Sequence, residues 1–109
     1  IKKEMVMRTN VISDFKTVEG NPTGGESKLP DSTTIKWQEG IVEGQQNGAF
    51  IEDVITAAIQ RLEFFNNSKF RCRENSVVIT KLEEALMWLN YRTANRTAQD
   101  VENTYKTHK

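Results

Sequence analysis

From residue 51 onward the apolar residues fall into helical spacing, and nothing before that point does. Ile51, Val54, Ile55, Ala58, Ile59, Leu62 and Phe65 step by threes and fours, the repeat of one face of an amphipathic helix. Glu52 and Asp53 fall in its first turn, where the helix dipole favours acids. "NNSK" (66–69) interrupts the pattern. A second helical run then extends from about Arg73 to Thr97, with Val78, Leu82, Ala85, Leu86 and Leu89 as its stripe. Two amphipathic helices joined by a short polar turn predict an antiparallel helical hairpin.

The first half reads differently. "EMVMRTNVISDF" (4–15) is rich in β-branched and apolar residues with partial alternation, which predicts a strand near 5–12. "TVEGNPTGGESKLPDS" (17–32) carries Gly20, Gly24, Gly25 and both prolines, and reads as a mobile loop. "TTIKWQEGIVEG" (33–44) reads as a second strand, a turn at Glu39-Gly40 and a short third strand. Asn47-Gly48 is a further turn signal. The expected fold class is therefore α+β: a small N-terminal antiparallel β-sheet followed by a C-terminal antiparallel helical hairpin. The expected organisation is a single domain over 1–109, with a β-rich segment at 1–46 and the hairpin and tail at 47–109.

Bulk composition removes several functions. Lysine plus arginine and aspartate plus glutamate number 15 each, so the general positive charge of a nucleic-acid or membrane-surface binder is missing. No apolar run approaches twenty residues, hence no membrane span is expected. The opening "IKKEMVMRTN" lacks the apolar segment of a signal peptide. Its first residue is Ile1 rather than Met, as expected of a chain whose start lies upstream. Cys72 stands alone, so no disulfide can form within the chain and a reducing compartment is expected. Hydrophobic content is 37%, low for a compact monomer. Met87, Trp88 and Tyr91 lie off the second helix's stripe. A two-strand sheet is barely stable alone, so self-association through the hairpin is expected.

Two clusters could carry chemistry. Trp88, Arg92 and Arg96 share one helical face at successive turns. Like charges four residues apart cost roughly 0.2–0.5 kcal/mol. A phosphate between the two guanidiniums would relieve that repulsion and match their forked donors, with the indole as a stacking surface. The plain alternative is that each arginine pairs with an acid on another helix. The second cluster is "FRCREN" (70–75), where Arg71, Arg73 and Glu74 surround a helix start with free N–H groups and Asn75 lies in the first turn, its amide able to meet a ligand. Its plain alternative is a capped helix with solvated charges. Phe65 continues the first helix's stripe, whereas Phe64 and Phe70 fall off it and could wall a pocket. The lone Cys72 and His108 give no metal-ligand spacing. Glu83 and Glu84 point to different faces, and "PTGGES" lacks the lysine of a phosphate loop. No catalytic residue, metal site or cofactor is expected, and the reading is of a non-enzyme.

The stretch "NGAFIEDVITAAIQRL" (47–62) continuing through "FRCRENSVVITKLEEALMWLNYRTANRTAQDVENT" (70–104) resembles the helical-hairpin domain shared by phage sponge proteins that counter the Thoeris and CBASS defence systems. The "CREN…ITKLEEALMWL…RT…R" run is the specific part. "TTIKWQEGIVEGQQNG" ahead of it is similar to the Thoeris branch, whose members carry a small sheet before the hairpin. The resemblance implies a phage immune-evasion protein that acts in the host bacterial cytoplasm. It would bind a cyclic ADP-ribose-type messenger, including glycocyclic forms, without cleaving it. It further implies a homodimer, with a hexamer as the larger assembly, and a pocket where two chains meet. By similarity Phe65 and Asn75 would contact the adenine or ribose, and Arg92 and Arg96 the phosphates; the residue pattern itself adds Trp88 and Phe64 as ligand-binding candidates. Members often read "RGVEGTH" where this chain has "QDVENTY" (99–105). Arg96 and Thr104 are the contacts left for a second, cyclic-oligonucleotide site. Two other functions stand beside this one: a sponge for cyclic di- or trinucleotides of CBASS-type defence, and a helical hairpin that docks on another protein.

Overall fold

The computed structural model describes residues 8–40 and 44–98, with Thr97 and Ala98 as backbone only. The chain divides into two compact units, Ile1–Gly48 and Ala49–Lys109. The fold is α+β, a three-stranded antiparallel sheet followed by two helices that form a hairpin.

In the first unit, β1 (Ile12–Val18), β2 (Asn21–Lys28) and β3 (Thr34–Trp37) lie in the order β1-β2-β3. The expected strand near 5–12 is corrected: residues 8–11 are not strand, β1 begins at Ile12, and 5–7 lie outside the described residues. The glycine- and proline-rich stretch 17–32 is not one loop. Glu19 and Gly20 have φ of 53° and 80°, the left-handed pair of a tight hairpin turn. The chain then returns as β2, the central strand. Of the expected second strand only Thr34–Trp37 forms, and the third falls mainly on 41–43, outside the described residues.

Composition argued against β2 because "NPTGGESK" holds few strand formers. Pairing on both sides overrides that weak preference. Gly25 adopts φ +138°, and a Cβ there would lie 2.8 Å from the Phe15 Cα, so only glycine lets the two strands approach. Along one face Ser27 sits between Ser13 and Ile35, and Gly25 between Phe15 and Trp37. The Trp37 indole donates to the Ser27 hydroxyl at 2.8 Å, which shares a 2.7 Å bond with Ser13. Ser27 is buried because both neighbours satisfy it. The opposite face is charged, with Asp14 opposite Glu26 and Glu26 opposite Lys36.

Asp31 ties the β2–β3 turn. Its carboxylate accepts from the Thr33 N–H at 3.0 Å and the Thr33 hydroxyl at 2.9 Å, which holds its carboxyl below the usual aspartate value. Asn47 closes the segment after β3. Its side chain accepts from the Glu39 N–H at 2.8 Å and donates to the Glu39 carbonyl at 3.2 Å, while its own N–H donates to Gln38 Oε1 at 2.9 Å.

In the second unit, α1 (Ile51–Asn66) and α2 (Arg73–Ala98) pack against each other. The Phe50 N–H donates to the Asp53 carboxylate at 2.8 Å, so the acid in the first turn reaches back to the free helix start. The seam is narrow. On α1 it runs through Ile55, Ile59, Leu62 and Phe65, with Ile59 8% exposed and Ile51 and Ala58 open to solvent. On α2 it runs through Asn75, Ile79, Leu82, Ala85, Leu86 and Leu89. Val78 is corrected out of the stripe at 43% exposed. Ile79 is half-buried on the seam in its place; Val78 also falls within the helical repeat, four residues before Leu82, so spacing alone does not separate the two.

Ile59→Ala should lower the unfolding free energy by about 2–3 kcal/mol. Val78→Ala, on the solvent side, should change it by less than about 0.5 kcal/mol. Urea denaturation of both variants checks the seam: equal losses would place Val78 inside it.

Candidate functional site

The hairpin carries two clusters, one at each end. At the turn end, Asn66 is the organising residue. Its Oδ1 accepts from the Cys72 N–H at 3.3 Å, its Nδ2 donates to Ser76 Oγ at 3.0 Å, and its carbonyl accepts from Arg71 Nε at 2.9 Å. The last residue of α1 is thereby tied to the first turn of α2. Cys72 precedes α2, and its Sγ accepts from the Asn75 N–H at 3.5 Å. The thiol thus fills the place a serine or aspartate usually takes at a helix start. The Asn75 side chain is half-buried on the seam, two residues beyond the start of α2.

The phenylalanines at this end differ in environment. Phe65 is half-buried, while Phe64 and Phe70 are about two-thirds exposed. The rings of Phe64 and Phe65 meet edge to face, with centroids 6.1 Å apart. The Arg61 guanidinium lies over both, 4.8 Å from the Phe65 centroid and 5.5 Å from that of Phe64. Sequence reasoning missed Arg61 and Asn66. The i, i+3 and i+4 spacing of Arg61, Phe64 and Phe65 would have revealed the first. Asn66 gave no such signal because its partners lie across the turn.

At the other end, α2 outlasts its partner. It has 26 residues against 16 in α1, a difference worth ~15 Å of helix. Trp88, Tyr91 and Met87 are each about two-thirds exposed. Trp88 and Tyr91 pack edge to face at 6.0 Å. Arg92 is exposed and has no hydrogen-bond or ion-pair partner among the described residues. Arg96, in the last turn of α2, is half-buried and engaged with another group of the chain. A cation there also suits the negative end of the helix dipole. Thr104 lies outside the described residues.

The structure therefore brings Phe64, Phe65 and Asn75 together at one end, and Trp88, Arg92 and Arg96 at the other. It does not join the two groups. From Asn75 to Arg92 the helix rises ~25 Å, far more than a single cyclic nucleotide spans. Among the described residues no group of three or more His, Cys, Asp or Glu could hold a metal ion, and no helix is long and apolar enough to cross a membrane.

A short sheet ahead of an antiparallel helix pair, with aromatic and arginine side chains open on the longer helix, defines a class of small helical-hairpin protein. Within that class the chain belongs to the family described as "Acb2/Tad1, hairpin domain", which its residues 30–94 match. The span takes in β3, α1 and most of α2, and ends between Arg92 and Arg96. The chain is also 53% identical over 74 residues to "Thoeris anti-defense 1" of Bacillus phage SBSphiJ7, a match covering 67% of this chain and 52% of that relative. The matched region is thus about half the length of the curated relative.

Asn66→Ala should cost about 1–3 kcal/mol, because it leaves the Cys72 N–H and Ser76 hydroxyl short of their partners. Asn66→Asp keeps the acceptor for Cys72 and loses only the donor, so it should fall between wild type and alanine. Thermal unfolding of the three chains checks the order, and an unaffected alanine variant would show that the bonds do not hold the turn.

Proposed function

We propose that this chain is a phage anti-Thoeris sponge that sequesters a cyclic ADP-ribose-type messenger, glycocyclic forms included, and releases it unchanged. The observation that supports this most is the pair of arginines at the uncovered end of α2, with Arg92 open and an exposed indole one turn away. Guanidinium forks suit the oxygens of a pyrophosphate, and Trp88 offers a face for stacking. Membership of the hairpin family and the name of the 53% identical relative support the biological setting. Action in the host cytoplasm follows from that setting. Neither a resident cofactor nor a catalytic group has a part in the proposal.

The site we propose is shared between copies. Phe65 and Asn75 would meet the base and ribose from one chain, while Arg92 and Arg96 of a second chain meet the phosphates. An antiparallel arrangement of two hairpins supplies both ends at one place, which a single hairpin cannot do across ~25 Å. Met87, Trp88 and Tyr91 give the apolar surface on which such a pair would close. The proposed assembly is a homodimer, with a hexamer as a larger form.

Arg92→Ala removes charge-assisted bonds worth on the order of 1.5–3 kcal/mol each. Affinity for the messenger should fall roughly tenfold to more than a hundredfold. Unliganded stability should hardly change, since Arg92 has no partner to lose among the described residues. Arg92→Lys should also bind poorly, because an ammonium keeps the charge and loses the fork. Calorimetry and melting curves on the same proteins decide: unaltered binding with a lowered melting temperature would give Arg92 a structural role. Tighter binding of cyclic di- or trinucleotides than of cyclic ADP-ribose isomers would move the protein to CBASS-type messengers. Recovery of degraded ligand after incubation would make it an enzyme.

A further inference from the structure

The outer edge of β1 has no strand beside it among the described residues, because β1 is the first strand in the order β1-β2-β3. All seven of its residues are exposed. Three of them are large and apolar: Ile12, Phe15 and Val18, at 77%, 67% and 59% exposure. A regular strand with an open row of backbone donors and acceptors is a template for another strand. Pairing irregularities do not blunt it. The register with β2 shifts between Lys16 and Thr17, whose partners are Gly24 and Pro22, so the extra residue is Thr23 on β2.

The sequence of this strand is complementary to itself. "ISDFKTV" (12–18) reads outward from Phe15 as opposite charges, then hydroxyls, then β-branched apolar residues. If two copies of β1 run antiparallel with Phe15 facing Phe15, Asp14 faces Lys16, Ser13 faces Thr17, and Ile12 faces Val18. Each of these is a favourable cross-strand pair, and each occurs twice under the two-fold axis.

A second, independent observation points the same way. Within its own sheet Asp14 stands directly opposite Glu26, a like-charge juxtaposition that disfavours the pairing. Glu26 has Lys36 on its far side. Asp14 has no described strand on its far side to offer a cation. A second β1 supplies Lys16 there and completes a row that runs lysine, aspartate, glutamate, lysine across the sheets. On the opposite face the same pairing sets two Phe15 rings together, each next to the Gly25 that lacks a side chain of its own.

We propose that the edge of β1 is an interaction surface for a second copy of this chain, joined antiparallel about Phe15 into one continuous sheet. This contact is separate from any made by the helical hairpin and does not depend on the nucleotide reading. Its specificity lies in Asp14 and Lys16, both exposed and on the charged face.

Charge exchange tests it. In Asp14→Lys both positions become positive, and in Lys16→Asp both become negative, so either chain alone sets like charges together at the edge. Each single variant should self-associate through this edge roughly tenfold or more weakly. The double exchange, Asp14→Lys with Lys16→Asp, restores opposite charges and should associate like wild type. Mixing the two single variants should give a heterodimer that neither forms alone. Sedimentation velocity reads all four samples, with Trp88→Ala in every chain to remove the hairpin contribution and circular dichroism to confirm the fold. Association that ignores these exchanges, or a wild-type edge that stays monomeric in the Trp88→Ala background, overturns the proposal.

Discussion

The helical hairpin hangs on the seam between α1 and α2, and the seam is thin. Ile59 is the buried apolar side chain among the described residues, and its neighbours on both helices remain half-exposed. A seam of this width fixes the direction of two helices and little more. It cannot also cover the remaining faces, so Met87, Trp88 and Tyr91 stay in solvent. A large apolar patch on a small protein is the ordinary signature of a surface meant for a partner. The low hydrophobic content and the open aromatic face are thus one fact seen at two levels.

The unequal helix lengths turn that seam into a functional device. Because α2 outlasts α1, its last turns lie past the end of that helix, and Arg92 has no partner there among the described residues. The turn end behaves in the opposite way. There Asn66, Cys72 and Ser76 consume the free groups of two helix ends among themselves. An anion would find few open N–H groups at that end, although the half-buried Phe65 and Asn75 sit there. Both ends carry aromatic and cationic side chains, but Phe65 and Asn75 lie at the closed end and Arg92 and Arg96 at the open end. The ~25 Å of helix between those two sets is the physical reason that the proposed nucleotide site is a shared one.

The helices were legible because a 3.6-residue apolar repeat survives in the sequence whatever the partner. The α1 limits follow from Ile51 and from the asparagines at 66 and 67, and the α2 stripe needed only Ile79 in place of Val78. The sheet was poorly legible. β2 is built from Gly24, Gly25 and Pro22, which argue for a loop when read locally; its strand character comes from Ser13, Ile35 and Trp37 across the register. Long-range pairing leaves little trace in a single segment's composition. The candidate site divides similarly. Arg92 and Trp88 could be seen from spacing, and the spacing of Arg61 from Phe64 and Phe65 carried the same kind of signal, while Asn66 needed the turn. Thr104 lies beyond the described residues.

Complementation tests the shared site most directly. A chain with Phe65→Ala and Asn75→Ala loses the base end, and a chain with Arg92→Ala loses the phosphate end. If each site takes one end from each copy, neither variant alone has a site that binds the cyclic ADP-ribose isomer at wild-type affinity. Refolding them together then restores about a quarter of the wild-type binding capacity at wild-type affinity, because half of the dimers are mixed and each mixed dimer has one intact site. Calorimetric titration of the mixture should find that fraction. Failure of the mixture to bind, with mixed dimers demonstrably formed, would contradict a site shared between two chains.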